Sequence, residues 1–154
     1  MTKRRINLRA IIWRDGKIFA VKHFSERWNG PAEYWALPGG GLDDMESLDA
    51  GIKREIIEET GVEPVVERII LGQQFKSKRQ GYDEELELFY LVSNADDFNN
   101  INLAKTTHGA AEIAEYGFID PKTELIKPEF LSTIDLTDYV QNVRPVYIAD
   151  KLSK

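Results

Sequence analysis

Three glutamates, Glu55, Glu58 and Glu59, stand at spacings i, i+3 and i+4 in a segment that reads as a helix leaving a glycine turn. On a helix this spacing puts all three carboxylates on one face, about one turn apart. Left alone they repel, by roughly 0.2–0.5 kcal/mol per exposed pair. A hard divalent cation such as Mg²⁺ reverses that sign, because it takes carboxylate oxygens and completes its shell with water and substrate phosphates. Glu-rich helix faces are usually only solvated, so the weight comes from the wider spacing: Gly40, Glu46, Arg54-Glu55-Ile56, Glu58-Glu59 and Gly61-Val62. At average residue frequencies a chance match to these positions is on the order of one in ten million for such a chain. The segment therefore calls for a strand, a glycine turn and a helix that carries an acidic platform for phosphate chemistry.

The rest of the chain narrows the setting. With 154 residues, 42% of them hydrophobic and 30% charged, it is expected to form a single globular domain, 1–154, with a real core. The net charge of −6 argues against broad contact with nucleic-acid backbones, which needs a basic footprint. It also disfavours an anionic substrate unless a cation intervenes, which the acidic platform would supply. The chain has no cysteine, which removes thiol catalysis and disulfides and fits a reducing, cytoplasmic setting. No apolar run approaches the ~20 residues of a membrane span, and Met1 to Arg5 leads into a strand pattern. Without cysteine, and with only His23 and His108, structural zinc is not expected.

Local patterns predict the order of elements. Ile6–Trp13 and Lys17–Lys22 read as strands around an Asp15-Gly16 hairpin. His23–Glu33 reads as a loop, Tyr34–Leu37 as a short strand ending at Pro38-Gly39-Gly40-Gly41. Ser47 can cap a helix that runs to about Thr60, with Gly61 as its stop and Leu48, Ile52, Ile56 and Ile57 as an apolar stripe. Val65–Lys78 and Glu84–Val92 predict strands around a turn at Gln80-Gly81, and Asn94–His108 a polar, mobile loop. Glu112–Ile119 reads as the last strand, and Pro128 opens a helix over 129–141 with Phe130, Leu131, Ile134 and Val140 inward. Pro145–Lys154 is left unassigned. A mixed sheet with helices on both faces follows, although the residues alone leave α/β and α+β open.

The segment Gly40–Val62, with Trp35-Ala36-Leu37-Pro38-Gly39-Gly40-Gly41 before it, resembles the signature box of the Nudix hydrolases, enzymes that cleave a nucleoside diphosphate linked to another moiety. Every position of the family pattern is filled. The resemblance implies an α/β fold, the α/β/α sandwich with a mixed β-sheet between helices. It implies Mg²⁺, or Mn²⁺, held by Glu55, Glu58 and Glu59 with a backbone carbonyl from the glycine turn, assigned to Gly39 ahead of Gly40. Arg54 would orient the glutamates, and Glu46 would support the box from behind. Arg54 lies within salt-bridge reach of Glu58, whereas Arg54 and Glu55, being adjacent, are not expected to face the same way.

The general base is left among Glu55, Glu58 and a later carboxylate, Glu112, with Glu115 competing for that place. Trp28, Phe24 and Tyr34 are candidates for stacking on a base, Gly40 for approaching substrate, and Lys76, Lys78 and Arg79 for meeting phosphates. His108 is a candidate proton donor to a leaving group. The expected partner is a nucleotide-derived small molecule such as a nucleotide sugar, a dinucleoside polyphosphate or a nucleoside triphosphate, with neither membrane nor nucleic acid. Family members often dimerise, so a homodimer is an expectation. The alternatives are a house-cleaning pyrophosphatase for oxidised triphosphates and a non-catalytic nucleotide sensor, which commonly loses the box glutamates that this chain keeps. An RNA-decapping enzyme is disfavoured by the acidic charge.

Overall fold

Strand β1, Arg4–Arg14, alternates its side chains between two separate cores. Leu8, Ala10 and Ile12 enter one apolar cluster and Ile11 the other, all fully buried, so β1 lies in the middle of the sheet. The computed structural model describes residues 1–152. At its start β1 exceeds the predicted strand, because Arg4 and Arg5 pair in parallel register with Glu84 and Glu85. Asp15 and Gly16 both take positive φ, 51° and 78°, as a two-residue hairpin turn requires.

Strand β2, Lys17–Ser25, also outruns its prediction, since its outer half gains partners. One is β3, Gly30–Pro31; the other is a later strand that places Ile113 opposite His23. β1 and β2 stay paired only at Trp13–Ile18 and Arg14–Lys17 and then diverge. Into the gap beside Asn7–Arg9 comes β5, Gly39–Gly41, after the two-residue strand β4, Trp35–Ala36. The glycine turn is thus hydrogen-bonded to the central strand.

Helix α1, Leu48–Thr60, follows the predicted boundaries. Ser47 Oγ accepts from the Ala50 amide at 3.1 Å, and Gly61, at φ 75°, donates to the Ile57 carbonyl. Ile52 and Ile56 are fully buried and Leu48 packs beside them, whereas Ile57 is exposed and leaves the stripe.

Strands β6 (Val66–Lys76) and β7 (Glu84–Val92) are antiparallel. β7 buries both faces: Tyr90 and Val92 on the α1 side, Phe89 and Leu91 on the other. Residues 94–108, expected as a polar, mobile loop, hold more structure than that expectation gave them. They carry two 3₁₀ turns and bury Phe98 and Ile101, with the Phe98 ring 5.4 Å from that of Phe19. A single turn, α2 (Gly109–Glu112), leads into β8 (Ile113–Ile119), which pairs with β2. Glu112 therefore ends a helical turn and does not begin the strand.

β8 is not the last strand. β9, Ile126–Lys127, adds to β4, and β10, Tyr147–Lys151, adds in parallel to β6. The predicted helix over 129–141 is two pieces, a 3₁₀ turn over Glu129–Ser132 and α3 over Leu136–Gln141. Ser132 and Thr133 hydroxyls donate back to the carbonyls of Glu129 and Phe130, and Asp135 recaps the chain by accepting from the Asp138 amide. Leu131 is buried as expected, with Phe130, Ile134 and Val140 packed around that core. Of the unassigned tail, residues 153 and 154 lie outside the described residues.

The main path of the mixed sheet runs β10-β6-β7-β1-β2-β4-β9. α1 and residues 95–101 cover one face, and residues 130–140 cover the other. This is the α/β/α sandwich that the resemblance implied. Among the described residues no helix is long and apolar enough to cross a membrane.

Candidate active site

The pairing of β5 with β1 delivers the glycine turn to the flank of α1. Gly39 has φ 141°, and a Cβ there would collide with the Leu8 carbonyl oxygen, so the position admits only glycine. Its amide donates to Glu59 Oε2 at 2.9 Å, which anchors a carboxylate that is only 3% exposed. Its carbonyl accepts from Arg9 Nη1 at 3.0 Å. A Cβ on Gly40 would overlap the Glu55 carboxylate, which lies directly against that backbone.

Arg54 ties the box together. It donates to both oxygens of Glu46, at 2.7 and 2.9 Å, to the Gly41 carbonyl at 3.0 Å, to Glu55 Oε1 at 2.9 Å and to Glu58 Oε2 at 3.3 Å. The contact with Glu55 corrects the expectation that neighbouring side chains would diverge: the long guanidinium stem curls over the helix and reaches both carboxylates. The same guanidinium holds the Glu46 carboxyl well below the ordinary 4.5, at about 2. Glu46, with Glu55, in turn pushes Arg54 upward, against the effect of burial. Glu55 moves the other way. Burial raises its pKa most, Arg54 opposes this, and the charges of Glu59 and Glu58 add to the rise.

Glu55, Glu58 and Glu59 share one open cleft of about 620 Å³ with Gly39, Gly40, Gly41, Arg54 and Glu112. Glu112 is exposed there, whereas Glu115, opposite Lys22 on β8, is not part of the lining. His108 approaches Glu58 Oε2 with Nδ1 at 3.1 Å, and its amide donates to the Glu58 carbonyl at 3.0 Å. Gly109 makes that docking possible, since a Cβ there would strike the Glu59 carbonyl oxygen.

Four lining residues, Arg5, Arg9, His23 and Asp43, escaped the sequence reading. For the two arginines the signal was available in β1, where Arg5, Asn7 and Arg9 form a polar period of two inside an apolar strand. Phe24 and Trp28 are about half exposed at the outer end of β2, with the Arg27 guanidinium 5.0 Å from the Trp28 ring centroid. Neither lines this cleft or its larger neighbour, which takes in Tyr34.

The donor set suits a hard divalent cation. Each glutamate is oriented through one oxygen: Glu55 Oε1 and Glu58 Oε2 by Arg54, Glu59 Oε2 by the Gly39 amide. The second oxygen of each accepts no hydrogen bond among the described residues, with His23 Nε2 3.9 Å from Glu59 Oε1. No buried side-chain polar atom there lacks a partner, so these three oxygens reach the solvent of the cleft. As they stand, the acidic and histidine side chains of the described residues are not gathered into a ready-made cation cage. Arg54 and the Gly39 amide fix one oxygen of each carboxylate around an acidic space.

The family model of the NUDIX domain matches residues 3–135. Nucleoside triphosphatase NudI of Escherichia coli is 26% identical over 117 residues, 73% of this chain and 79% of that protein. Among solved structures, the E. coli ORF135 protein superposes with a TM-score of 0.65 at 19% identity, covering 94% of this chain and 95% of the other. An ADP-ribose pyrophosphatase from Streptococcus suis gives 0.60 at 16%, covering 94% and 98%. The domain match spans the glycine turn, the acidic helix and the sheet that holds them together, and the chain belongs to the Nudix hydrolase family.

Proposed function

We propose that this chain hydrolyses the pyrophosphate bond of a nucleoside diphosphate linked to another moiety, using a divalent cation. Magnesium is the expected ion and manganese the expected substitute. The observation that carries this reading is the presence of Glu55, Glu58 and Glu59 in one cleft, each fastened through one carboxylate oxygen and offering the other. Those oxygens, with the Gly39 carbonyl beside them, would hold the ion. When bound, it would neutralise phosphate charge and lower the pKa of a water.

The protein's own groups do the positioning. Arg54 keeps Glu55 and Glu58 from splaying apart while leaving one oxygen of each open to the cleft. Glu46, held ionised, keeps Arg54 in place from behind. Arg5, Arg9 and Arg79 line the same space and supply cations for the phosphates of a bound nucleotide. Gly40, without a side chain, lets substrate approach the backbone next to Glu55. Glu55 or Glu58 takes the proton from the attacking water, and Glu112, exposed in the same cleft, is the alternative acceptor. A stacking role for Phe24 or Trp28 requires the base to extend beyond the cleft lining, along the outer end of β2.

A panel of nucleotide sugars, dinucleoside polyphosphates and nucleoside triphosphates, incubated with Mg²⁺ or Mn²⁺ in ¹⁸O-labelled water, tests the reading. The expected outcome is a nucleoside monophosphate and a phosphorylated remainder, with label on one product only and no turnover in chelator. Binding by calorimetry without any cation-dependent product would overturn hydrolysis in favour of a nucleotide sensor.

A further inference from the structure

Beside the glutamate cleft lies a second cavity of about 740 Å³, a size typical of small-molecule sites. The two adjoin, with Arg9, His23 and Arg79 lining both. Its distinguishing property is charge. Six cationic side chains from separate parts of the fold meet there: Arg9 of β1, Lys76, Lys78 and Arg79 around the β6–β7 turn, Lys127 of β9 and Lys151 of β10. Three carboxylates share the wall, Glu85, Glu87 and Glu129, which leaves an excess of three positive charges on a chain whose net charge is −6.

None of the lysines is ion-paired with these carboxylates among the described residues, and two of the three carboxylates are engaged by other groups. Glu87 is engaged by Arg9 at 3.4 Å and Gln73 at 3.1 Å, and Glu85 by Asn7 at 2.6 Å and Ser77 at 2.7 Å, with Arg79 at 3.8 Å. Lys127 Nζ sits 4.3 Å from the Tyr34 ring centroid and Lys151 Nζ 5.4 Å from that of Phe130, contacts that hold an ammonium without neutralising it. Lys76 and Lys78 are exposed and form no ion pair among the described residues. Tyr34 and Phe75 give the same cavity aromatic side chains on which a base or sugar can lie.

A pyrophosphate placed against Glu55, Glu58 and Glu59 leaves these lysines without an anion. We propose that they select, within the hydrolase reading above, substrates that carry a further phosphate monoester remote from the scissile pyrophosphate. Compact ammonium groups on flexible stems meet such a phosphate as point charges, and the aromatic wall takes the ring system between the two anionic ends.

Matched pairs that differ by one phosphate provide the test: ADP-ribose against 2′-phospho-ADP-ribose, NADH against NADPH, and dephospho-coenzyme A against coenzyme A. With the full chain and Mg²⁺, the phosphorylated member of at least one pair is expected to have the higher kcat/KM, by roughly tenfold. In the double variant Lys78→Gln/Lys127→Gln that ratio is expected to fall toward one, with Tm checked to show that the fold is kept. A ratio at or below one in every pair, or a preference that the double variant retains, overturns the inference. If nothing is hydrolysed with either cation, the hydrolase reading fails separately and calorimetry on the same pairs decides. Tighter binding of a phosphorylated member, lost in the double variant, supports the lysine site, whereas equal or absent binding overturns it.

Discussion

Replacing Glu58 by Gln is expected to lower kcat by roughly 10²–10⁴-fold while moving Tm by no more than about 3 °C. The substitution keeps the shape of the side chain and removes the charge, so a cation loses a ligand and the water loses a candidate base. Little stability should follow it. Glu58 is partly exposed, with 24% of its side chain accessible, and its link to Arg54 is a long one at 3.3 Å. Arg54 also keeps its two short bonds to Glu46. Losing one like charge from the Glu55, Glu58 and Glu59 face offsets part of the lost attraction. Steady-state kinetics on a panel substrate, beside a thermal melt, reads both quantities. A variant that keeps full activity would remove Glu58 from the chemistry, and one that unfolds would make it a structural residue.

Gly39→Ala is expected to do the reverse, destabilising the chain by about 3 kcal/mol or more and abolishing activity as a consequence. The residue has φ 141°, and its missing side chain is what allows β5 to lie against β1 at Leu8 and Arg9. A methyl group there forces the strand pair apart and pulls the amide away from Glu59, the most deeply buried of the three glutamates. At roughly 2–4 °C per kcal/mol for a domain of this size, the melt should shift by at least about 6 °C. Gly117→Ala is the control, since a Cβ at that position meets nothing within 4 Å. Equal melts for the two variants would contradict the assigned role of the turn.

What could be read from residues, and what could not, divides along physical lines. α1 was legible at both ends because its signals are local: a serine hydroxyl within reach of the first turn and a glycine able to adopt positive φ. β7 was legible over Glu84–Val92 because its apolar alternation is long and bounded by turn residues. β4 falls inside the predicted Tyr34–Leu37 strand, whereas β3 and β5 span two and three residues, too few to show a period, and exist because β1 and β2 diverge and leave edges to be paired. The segment 94–108 looked like open loop on average polarity, while its structure hangs on two side chains, Phe98 and Ile101. The break near Thr133 depends on hydroxyls competing with the backbone, which helical periodicity does not register.

The same division holds at the site. The acidic face of α1 was visible because its members share one helix. Arg5, Arg9 and His23 join it only through strand pairing, and the lysine-lined cavity assembles from β6, β9 and β10, whose positions no local pattern specifies. Adjacent residues misled in one place, where Arg54 reaches Glu55 by curling over the helix.

Titration of Mn²⁺ followed by electron paramagnetic resonance, with and without a non-hydrolysable nucleotide analogue, asks whether the open oxygens of Glu55, Glu58 and Glu59 grip a cation. The expected result is saturable binding that the analogue strengthens and that weakens by roughly tenfold or more in both Glu55→Gln and Glu58→Gln. Binding that both variants leave unchanged, or no bound Mn²⁺ in the parent chain with the analogue present, would contradict it.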